Sequence, residues 1–380
     1  MQIEKLSNSI DATKYLKELG VDGGGLNILA SKMTNHIIYI RDLHVGAANI
    51  LKQDALSIGA DLAVPKGTII AATPTVDCIL IATTAQLKTL SKKELAQPFG
   101  LKLLAKKISD ILKVKKINNV EVMGVINAND DSFFSGSRFK DVEAIEAVET
   151  MIEDGANIID IGGVSSAPNS KSVDAREELA RVKPILQAIK KQKLYDRVDF
   201  SIDSYEPIVV EQALDSGFKI VNDITGLAND EICKLSASYN ARAIIMHMQR
   251  TPQTMQLAPE YENILSDIYA FFEQRIQKAD SFGVKEISLD IGIGFGKTLN
   301  HNLQLIKHLE HFSTLEKSIL VGASRKSMID KISKSLPQDR LAGTLTLHLE
   351  AIKNGASIIR AHDVKEHVQA IKIQQAIDAI

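Results

Sequence analysis

From Glu121 to the end of the chain, short apolar runs alternate with longer stretches of helical periodicity, and this limits the fold more than any other feature. The runs are Glu121–Asn127, Asn157–Ile161, Arg197–Ile202, Lys219–Asn222, Ala241–His247, Glu286–Asp290, Ser318–Val321 and Ser357–Arg360. Amphipathic stretches lie between them, such as Val142–Asp154, Arg176–Lys190, Pro207–Asp215, Tyr261–Ala279 and Leu341–Lys353. Several are followed by a glycine (Gly155, Gly217, Gly283, Gly355), as helix C-termini tend to be. Eight strand-helix repeats within about 260 residues is the count of a (β/α)8 TIM barrel. An open doubly wound sheet is the alternative, but it seldom needs eight repeats. The expected fold class is therefore α/β, with a TIM barrel over residues 116–380.

Residues 1–115 break the rhythm. His36–Ile40 and Cys78–Ala82 read as strands, Ala47–Ile58 and Lys102–Leu112 as helices, and Pro65–Pro74 as loop. This segment is expected to be a small α/β accessory domain with its own core. The lysine-rich stretch around Lys106, Lys107, Lys113, Lys115 and Lys116 is expected to be a solvated linker face. Across the chain, 45 basic residues nearly balance 47 acidic ones, and 45% of residues are hydrophobic. Such a chain is globular and carries no electrostatic footprint for nucleic acid or an anionic membrane. No apolar run is long enough to span a bilayer, and the N-terminus lacks the pattern of a signal peptide. Two cysteines, Cys78 and Cys233, cannot build a disulfide framework, so a reducing cytoplasm is expected.

Barrel enzymes gather their chemistry at the C-terminal ends of the strands. Here those ends carry Asn127, Asp160, Asp203, Asn222 with Asp223, His247, Asp290, the Ser324-Arg325-Lys326 segment, and Arg360 followed by His362. Solvation alone makes strand ends polar, but it does not account for eight polar ends with acids or amides directly after apolar runs. His247 and His362 lack the companions of a zinc site, and no nucleophile elbow is present. The segment Gly292-Ile293-Gly294-Phe295-Gly296-Lys297-Thr298 resembles a P-loop, but Ile291 stands where its first glycine belongs. That segment is expected to bring backbone against a flat ligand, with Phe295 available to stack. Carboxylates suit an N–H-rich heterocycle edge, while arginine and histidine suit an anion. The implied ligand is a planar heterocycle with an anionic tail.

These residues fall into a familiar order. Met123-Gly124-Val125-Ile126-Asn127 with Asp131-Ser132-Phe133 and Arg138-Phe139 resembles the first signature of the dihydropteroate synthases. Asp160-Ile161-Gly162-Gly163 resembles the second, and Ser201–Tyr205, Val221–Gly226, Met246–Met248, Leu289–Thr298, Ser324–Ser327, Arg340–Thr344 and Arg360–Val364 follow in sequence. The resemblance covers about residues 120–380. It implies an enzyme that condenses a dihydropterin methyl pyrophosphate with p-aminobenzoate, giving dihydropteroate for folate synthesis and releasing pyrophosphate. It further implies that Asp203, Asn222 and Asp290 bind the pterin edge, with Lys326 donating to the pterin carbonyl and ring nitrogen. Met246 and Phe295 would line the flat pocket, with Asp160 near the reacting end and Ser166 also touching substrate. Arg360 and His362 would hold the pyrophosphate, and Asn127 would ligate Mg2+. Lys326, Arg360, His362 and Asp203 are thus the expected catalytic set. A homodimer and sulfonamide sensitivity are implied as well.

Two loops depart from the family pattern. Ala128-Asn129-Asp130 replaces the usual Val-Thr-Pro, and Val164-Ser165-Ser166-Ala167-Pro168-Asn169 replaces Glu-Ser-Thr-Arg-Pro-Gly. With Ala167 in place of the arginine, Lys171 or Arg138 is the expected substitute cation. A non-catalytic pterin-binding paralogue stays open on these departures. A methyltetrahydrofolate-type methyltransferase domain is the other alternative, although it would have no pyrophosphate for Arg360 and His362 to hold.

Overall fold

The computed structural model describes residues 1–4, 6–7, 10–113, 119–128, 142–165 and 173–379. The chain divides into two compact units, Met1–Lys115 and Lys116–Ala379.

The first unit contains α1 (Ala12–Glu18), α2 (Gly23–Met33), β1 (Asn35–His44), α3 (Val45–Ser57), β2 (Asp61–Ala63), β3 (Thr75–Thr83), α4 (Thr84–Lys93) and α5 (Leu101–Ile111). Its strands form an antiparallel sheet in the order β1-β3-β2. Alternation along β3 buries Val76, Cys78, Leu80 and Ala82. They pack with Leu51 and Ala55 of α3, Leu87 and Leu90 of α4, and Leu101 and Ile108 of α5. Strand β1 runs past the expected Ile40 to His44, through a register shift at Arg41-Asp42 where Asp42 takes a positive φ. Helix α4 was not expected from the sequence. It starts at a capping box in which Thr83 and Gln86 satisfy each other's backbone N–H groups. Lys106 and Lys107 lie on the exposed face of α5, while Lys115 and Lys116 lie outside the described residues.

The second unit is a closed barrel of eight parallel strands. In chain order its elements are β4 (Glu121–Asn127), α6 (Val142–Glu153), β5 (Ile158–Gly162), α7 (Ala175–Gln192), β6 (Asp199–Asp203) and α8 (Pro207–Leu214). They continue with β7 (Ile220–Asp223), α9 (Asp230–Ser238), β8 (Arg242–Met246), α10 (Ile264–Ser281), β9 (Ile287–Asp290) and α11 (Leu299–Lys307). The chain closes with β10 (Ser318–Val321), α12 (Ser327–Ile332), α13 (Leu341–Lys353), β11 (Ile358–Ala361) and α14 (Val364–Asp378). All eight strands sit within two residues of the apolar runs read from the sequence, and β4 and β10 coincide with them.

Period-two alternation divides six of the eight strands between two cores. Val122, Ile126, Ile159, Ile161, Phe200, Ile202, Val221, Ile245, Leu289, Val321 and Ile359 join the large cluster shared with the helices. Met123, Ile158, Ile220, Ile244, Leu320 and Ile358 form a separate buried cluster that fills the barrel interior. Two residues further along the same face of β5, β7, β8 and β11 come Asp160, Asn222, Met246 and Arg360. The apolar plug is thus the floor on which a polar layer rests.

The first unit also holds a buried acid that lacks donors. Glu94 is buried just after α4, and no donor reaches its ionised carboxylate, while Asp54 lies within hydrogen-bonding reach of the protonated acid. Burial, with the neighbouring Asp54 carboxylate, pushes it from 4.5 up to about 7. Ionisation therefore opposes folding, and wild-type stability is expected to fall as pH rises through this window and then level off. Glu94→Gln should raise the unfolding midpoint at pH 8 by the equivalent of about 1 kcal/mol, or roughly 4–8 °C for a unit of this size. The difference should close toward pH 4.5. Thermal melts at several pH values check this, and parallel curves for the two proteins would refute it.

Candidate active site

The polar layer above the plug is joined by short contacts. The Arg360 guanidinium lies between two carboxylates: Nε donates to Asp160 Oδ2 at 2.7 Å and Nη2 to Asp203 Oδ2 at 2.7 Å. Asn222 Nδ2 donates to the same Asp160 oxygen at 3.2 Å. Burial disfavours the Arg360 charge, but Asp160 and Asp203 outweigh that and hold it protonated. Burial raises Asp203 to about 7 against the opposing pull of Arg360, and it raises Asp290 as well.

These contacts leave acceptors over. Asp160 Oδ1, Asn222 Oδ1 and Ser201 Oγ are buried without a hydrogen-bond partner. Asp290 is buried at the end of β9, where Oδ1 accepts from Gly292 N at 2.8 Å. Buried acceptors left unmatched cost about 1–3 kcal/mol each, so this set suits a ligand that brings N–H donors.

The wall beside Asp290 is apolar and flat. Phe295 packs with Ile224, Met246 and Met255, while Met248 covers the cluster. The Lys326 ammonium stands over the Phe295 ring, 4.3 Å from its centroid. Burial, helped by the Arg360 charge, brings Lys326 down to about 8. Met255 is fully buried here, yet no pattern in the sequence marked it, because it comes from the irregular segment between β8 and α10.

The glycine-rich segment, which fails the P-loop pattern, turns its lysine onto its own backbone. Lys297 is buried, and its ammonium contacts His247 Nδ1 at 3.0 Å, His247 O at 3.1 Å, Gly292 O at 2.9 Å and Phe295 O at 2.9 Å. An ammonium has three protons, so these four acceptors engage all of them. Burial and the Lys297 charge push His247 down to about 2, leaving a neutral ring whose Nδ1 accepts. His247, counted with the rim in the sequence, therefore serves the loop and not the rim.

On the opposite side, Ser324 Oγ lies 2.9 Å from His362 Nδ1, joining the ends of β10 and β11. Burial, with the Arg360 charge, lowers His362 to about 4, so it meets an anion as a neutral donor. Arg325 faces away from the pocket: it pairs with Asp363 at 3.0 and 2.5 Å and donates to the carbonyls of Pro337 and Gln338. Behind both loops lies a relay with no sequence signal. Ala323 N donates to His348 Nε2 at 2.9 Å, and His348 Nδ1 lies 2.8 Å from His367 Nε2. His367 Nδ1 in turn meets Asp363 O at 2.5 Å. Both rings are buried and held below the usual histidine range, mainly by that burial. One consistent arrangement follows, with each ring neutral and protonated on Nδ1.

Asp160, Asp203, Asn222 and Arg360 are thus brought together, and Met246 with Phe295 forms the flat wall beside Lys326. Asp223, read as a rim acid, instead caps its own turn through Thr225 N, Thr225 Oγ1 and Leu227 N. Asn127 ends β4, and its amide makes no hydrogen bond to the described residues. A Cβ built on Gly162 would sit 3.7 Å from both Asn127 Oδ1 and Asp203 Oδ2, so glycine leaves room beside these two oxygens. Among the described residues no group of three or more His, Cys, Asp or Glu side chains is placed to hold a metal ion. Ser166, Ala167, Lys171 and Arg138 lie outside the described residues.

Comparison with known proteins matches this barrel throughout. A family profile described as pterin binding enzyme matches residues 123–362. The bifunctional dihydropteroate synthase/dihydropteroate reductase of Helicobacter pylori is 41% identical over 369 residues, covering 97% of this chain and 97% of that protein. The crystal structure of Yersinia pestis dihydropteroate synthase with a sulfonamide drug complex superposes with a TM-score of 0.65 at 35% identity, over 70% of this chain and 96% of that one. The Thermus thermophilus dihydropteroate synthase in complex with 4-aminobenzoate gives 0.61 at 33% identity, over 69% and 95%. The sequence signatures, the barrel and these likenesses agree, and the chain belongs to the dihydropteroate synthase family of pterin binding enzymes.

Proposed function

We propose that the chain condenses a dihydropterin methyl pyrophosphate with p-aminobenzoate, forming dihydropteroate and pyrophosphate. The observation that carries this reading is the group of buried, unpartnered oxygens on Asp160 and Asn222 beside Asp290. Asn222, with Asp203 and Asp290, matches the N–H-rich edge of a pterin whose ring lies along Met246 and Phe295, and Asp160 lies toward the reacting end. Lys326, which stands over the Phe295 ring, donates to the pterin carbonyl and ring nitrogen. In the reaction the bond between the exocyclic methylene and the pyrophosphate oxygen breaks, its electron pair leaving with pyrophosphate. The arylamine nitrogen then forms the new C–N bond and loses a proton. Carboxylates of Asp160, Asp203 and Asp290 favour positive charge developing on the pterin, while Arg360 and His362 receive the leaving anion. The amine is a weak base and needs only to be held in line.

Asn127 offers one neutral oxygen, which fits magnesium arriving on the pyrophosphate better than a metal held by protein alone. Bound there, Mg2+ would neutralise charge on the leaving group. We further propose that the arylamine subsite admits sulfonamides, that the chain works as a homodimer, and that it acts in the cytoplasm. A second activity is favoured by one observation. The likeness to the Helicobacter pylori protein spans 97% of this chain, so it includes the unit preceding the barrel. On this reading the chain also reduces dihydropteroate, drawing on a nicotinamide or flavin hydride donor. Loss of dihydropteroate dependent on such a donor tests it.

Purified chain incubated with dihydropterin pyrophosphate, p-aminobenzoate and Mg2+ is expected to release pyrophosphate only when the arylamine is present. Tight pterin binding without release would point to the non-catalytic paralogue. Asp290→Asn places a donor against the ligand's N–H groups and should weaken pterin binding by about 5–150-fold, the range expected of an unmatched buried pair. Calorimetry with a plain pterin reads this directly, and unchanged affinity removes Asp290 from the pocket.

A pH dependence follows from Lys326. Its ammonium loses the proton near pH 8, so kcat/KM for the pterin substrate should decline above that point. Lys326→Arg keeps its charge throughout, and the alkaline limb should disappear even where the maximal rate falls. An identical limb in the variant would assign it to another group.

A further inference from the structure

We infer that Lys297 is a positioning residue for pterin recognition, acting through Phe295 and Asp290 without touching substrate; this rests on the proposed synthase reaction. The loop from Ile291 to Lys297 follows Asp290 directly and carries Phe295, and it is irregular backbone that must hold a defined shape. Gly292, Gly294 and Gly296 all take positive φ. At Gly292 a Cβ would run into the carbonyl oxygen of His247, so the loop and the end of β8 approach as closely as backbone can. Such a loop has no ladder of its own, and its carbonyls need partners.

Each of four loop carbonyls has one, and Lys297 supplies two of them. Gly294 O accepts from Gln256 Nε2 at 2.6 Å and Gly296 O from Tyr261 Oη at 2.7 Å. Gly292 O and Phe295 O both accept from the Lys297 ammonium, which also reaches His247. Gly292 is the residue whose N–H fixes the Asp290 carboxylate, and Phe295 is the residue whose ring meets Lys326. One buried cation therefore ties together the residue whose N–H orients the acid, the residue that carries the ring, and the end of β8. Its protons are all engaged, so it has none to offer a phosphate. This separates its effect from that of Arg360 and His362. Losing Lys297 should disturb recognition of the pterin and leave the handling of pyrophosphate and arylamine in place.

The test uses the full chain, with wild type, Lys297→Met and Lys297→Gln measured side by side. Methionine keeps the length of the side chain and removes every donor, while glutamine restores two N–H donors. The expected result is a rise of about tenfold or more in KM for the pterin pyrophosphate with Lys297→Met, as for loss of charged hydrogen bonds. Affinity for a plain pterin, read by calorimetry, should weaken by the same factor. The KM for p-aminobenzoate should stay unchanged and kcat should fall less than threefold. Lys297→Gln should lie between the two. A wild type that binds pterin beside a Lys297→Met that binds it equally well overturns the positioning role and leaves the synthase reading intact. A loss of kcat with unchanged pterin affinity overturns it too. If both variants fail to fold, as judged by thermal melts, Lys297 is a folding residue and the inference is wrong.

Discussion

Everything in the barrel depends on a constraint of short strands. A strand of four or five residues has only two or three side chains pointing inward, so one substitution changes a whole layer. On several strands the lower inward position is apolar and the upper one polar, as Ile158 below Asp160 and Ile358 below Arg360 illustrate. The lower layer closes the barrel interior to water, and the upper layer is thereby removed from bulk solvent on that side. Pairing between the acids and Arg360 is strong for this reason. In water such contacts would contribute little, whereas beneath a low-dielectric wall they fix geometry.

The same burial sets how charge is arranged. Asp160, Asp203 and Asp290 lie close to Arg360 and Lys326, so buried acids and cations largely offset one another. Removing one member strands another, which costs far more than the pair contributes. A ligand entering this layer has to replace the contacts it displaces. An edge rich in N–H groups together with an anionic tail does so, because each half meets groups of opposite character. The unpartnered oxygens of Asp160 and Asn222 give the layer its direction, since they ask for donors and not for cations alone. The neutral ring of His362 adds a donor on the anion side without adding another buried charge.

Much of this was legible in the sequence, and for a physical reason. Strand positions follow from apolar runs, and the last polar residue of each run marks the rim, which is why Asp160, Asp203, Asn222, Asp290 and Arg360 could be named. What was not legible depends on contacts between distant segments. Met255 joins the pocket wall from an irregular segment, and irregular segments carry no period to read. The His348–His367 relay joins two helices on the outer layer, where a histidine in an amphipathic pattern looks like any other intermediate residue. Asp223 and His247 occupy rim positions in the sequence but turn toward their own backbone neighbourhood. In the first unit, α4 depends on a capping box that a helical period alone does not disclose.

The glycine-rich loop shows where motif reading meets its limit. A lysine after alternating glycines invites a phosphate-binding interpretation, because in a P-loop the backbone N–H groups converge and the lysine extends toward the anion. Whether that happens depends on which way the peptides face. Here the carbonyls of Gly292 and Phe295 face inward and draw the ammonium onto themselves. Burial then pulls Lys297 below the usual lysine range, the nearby Asp290 carboxylate opposes that and favours its charge, and its contacts are all with its own fold. The same residue types at nearly the same spacing thus make an internal brace where another backbone would make an anion site. The glycines are required in both cases, for their positive φ and for close approach, so they cannot tell the two uses apart. The orientation of the peptide planes does, and in this chain it commits the loop to holding a flat ring beside a carboxylate.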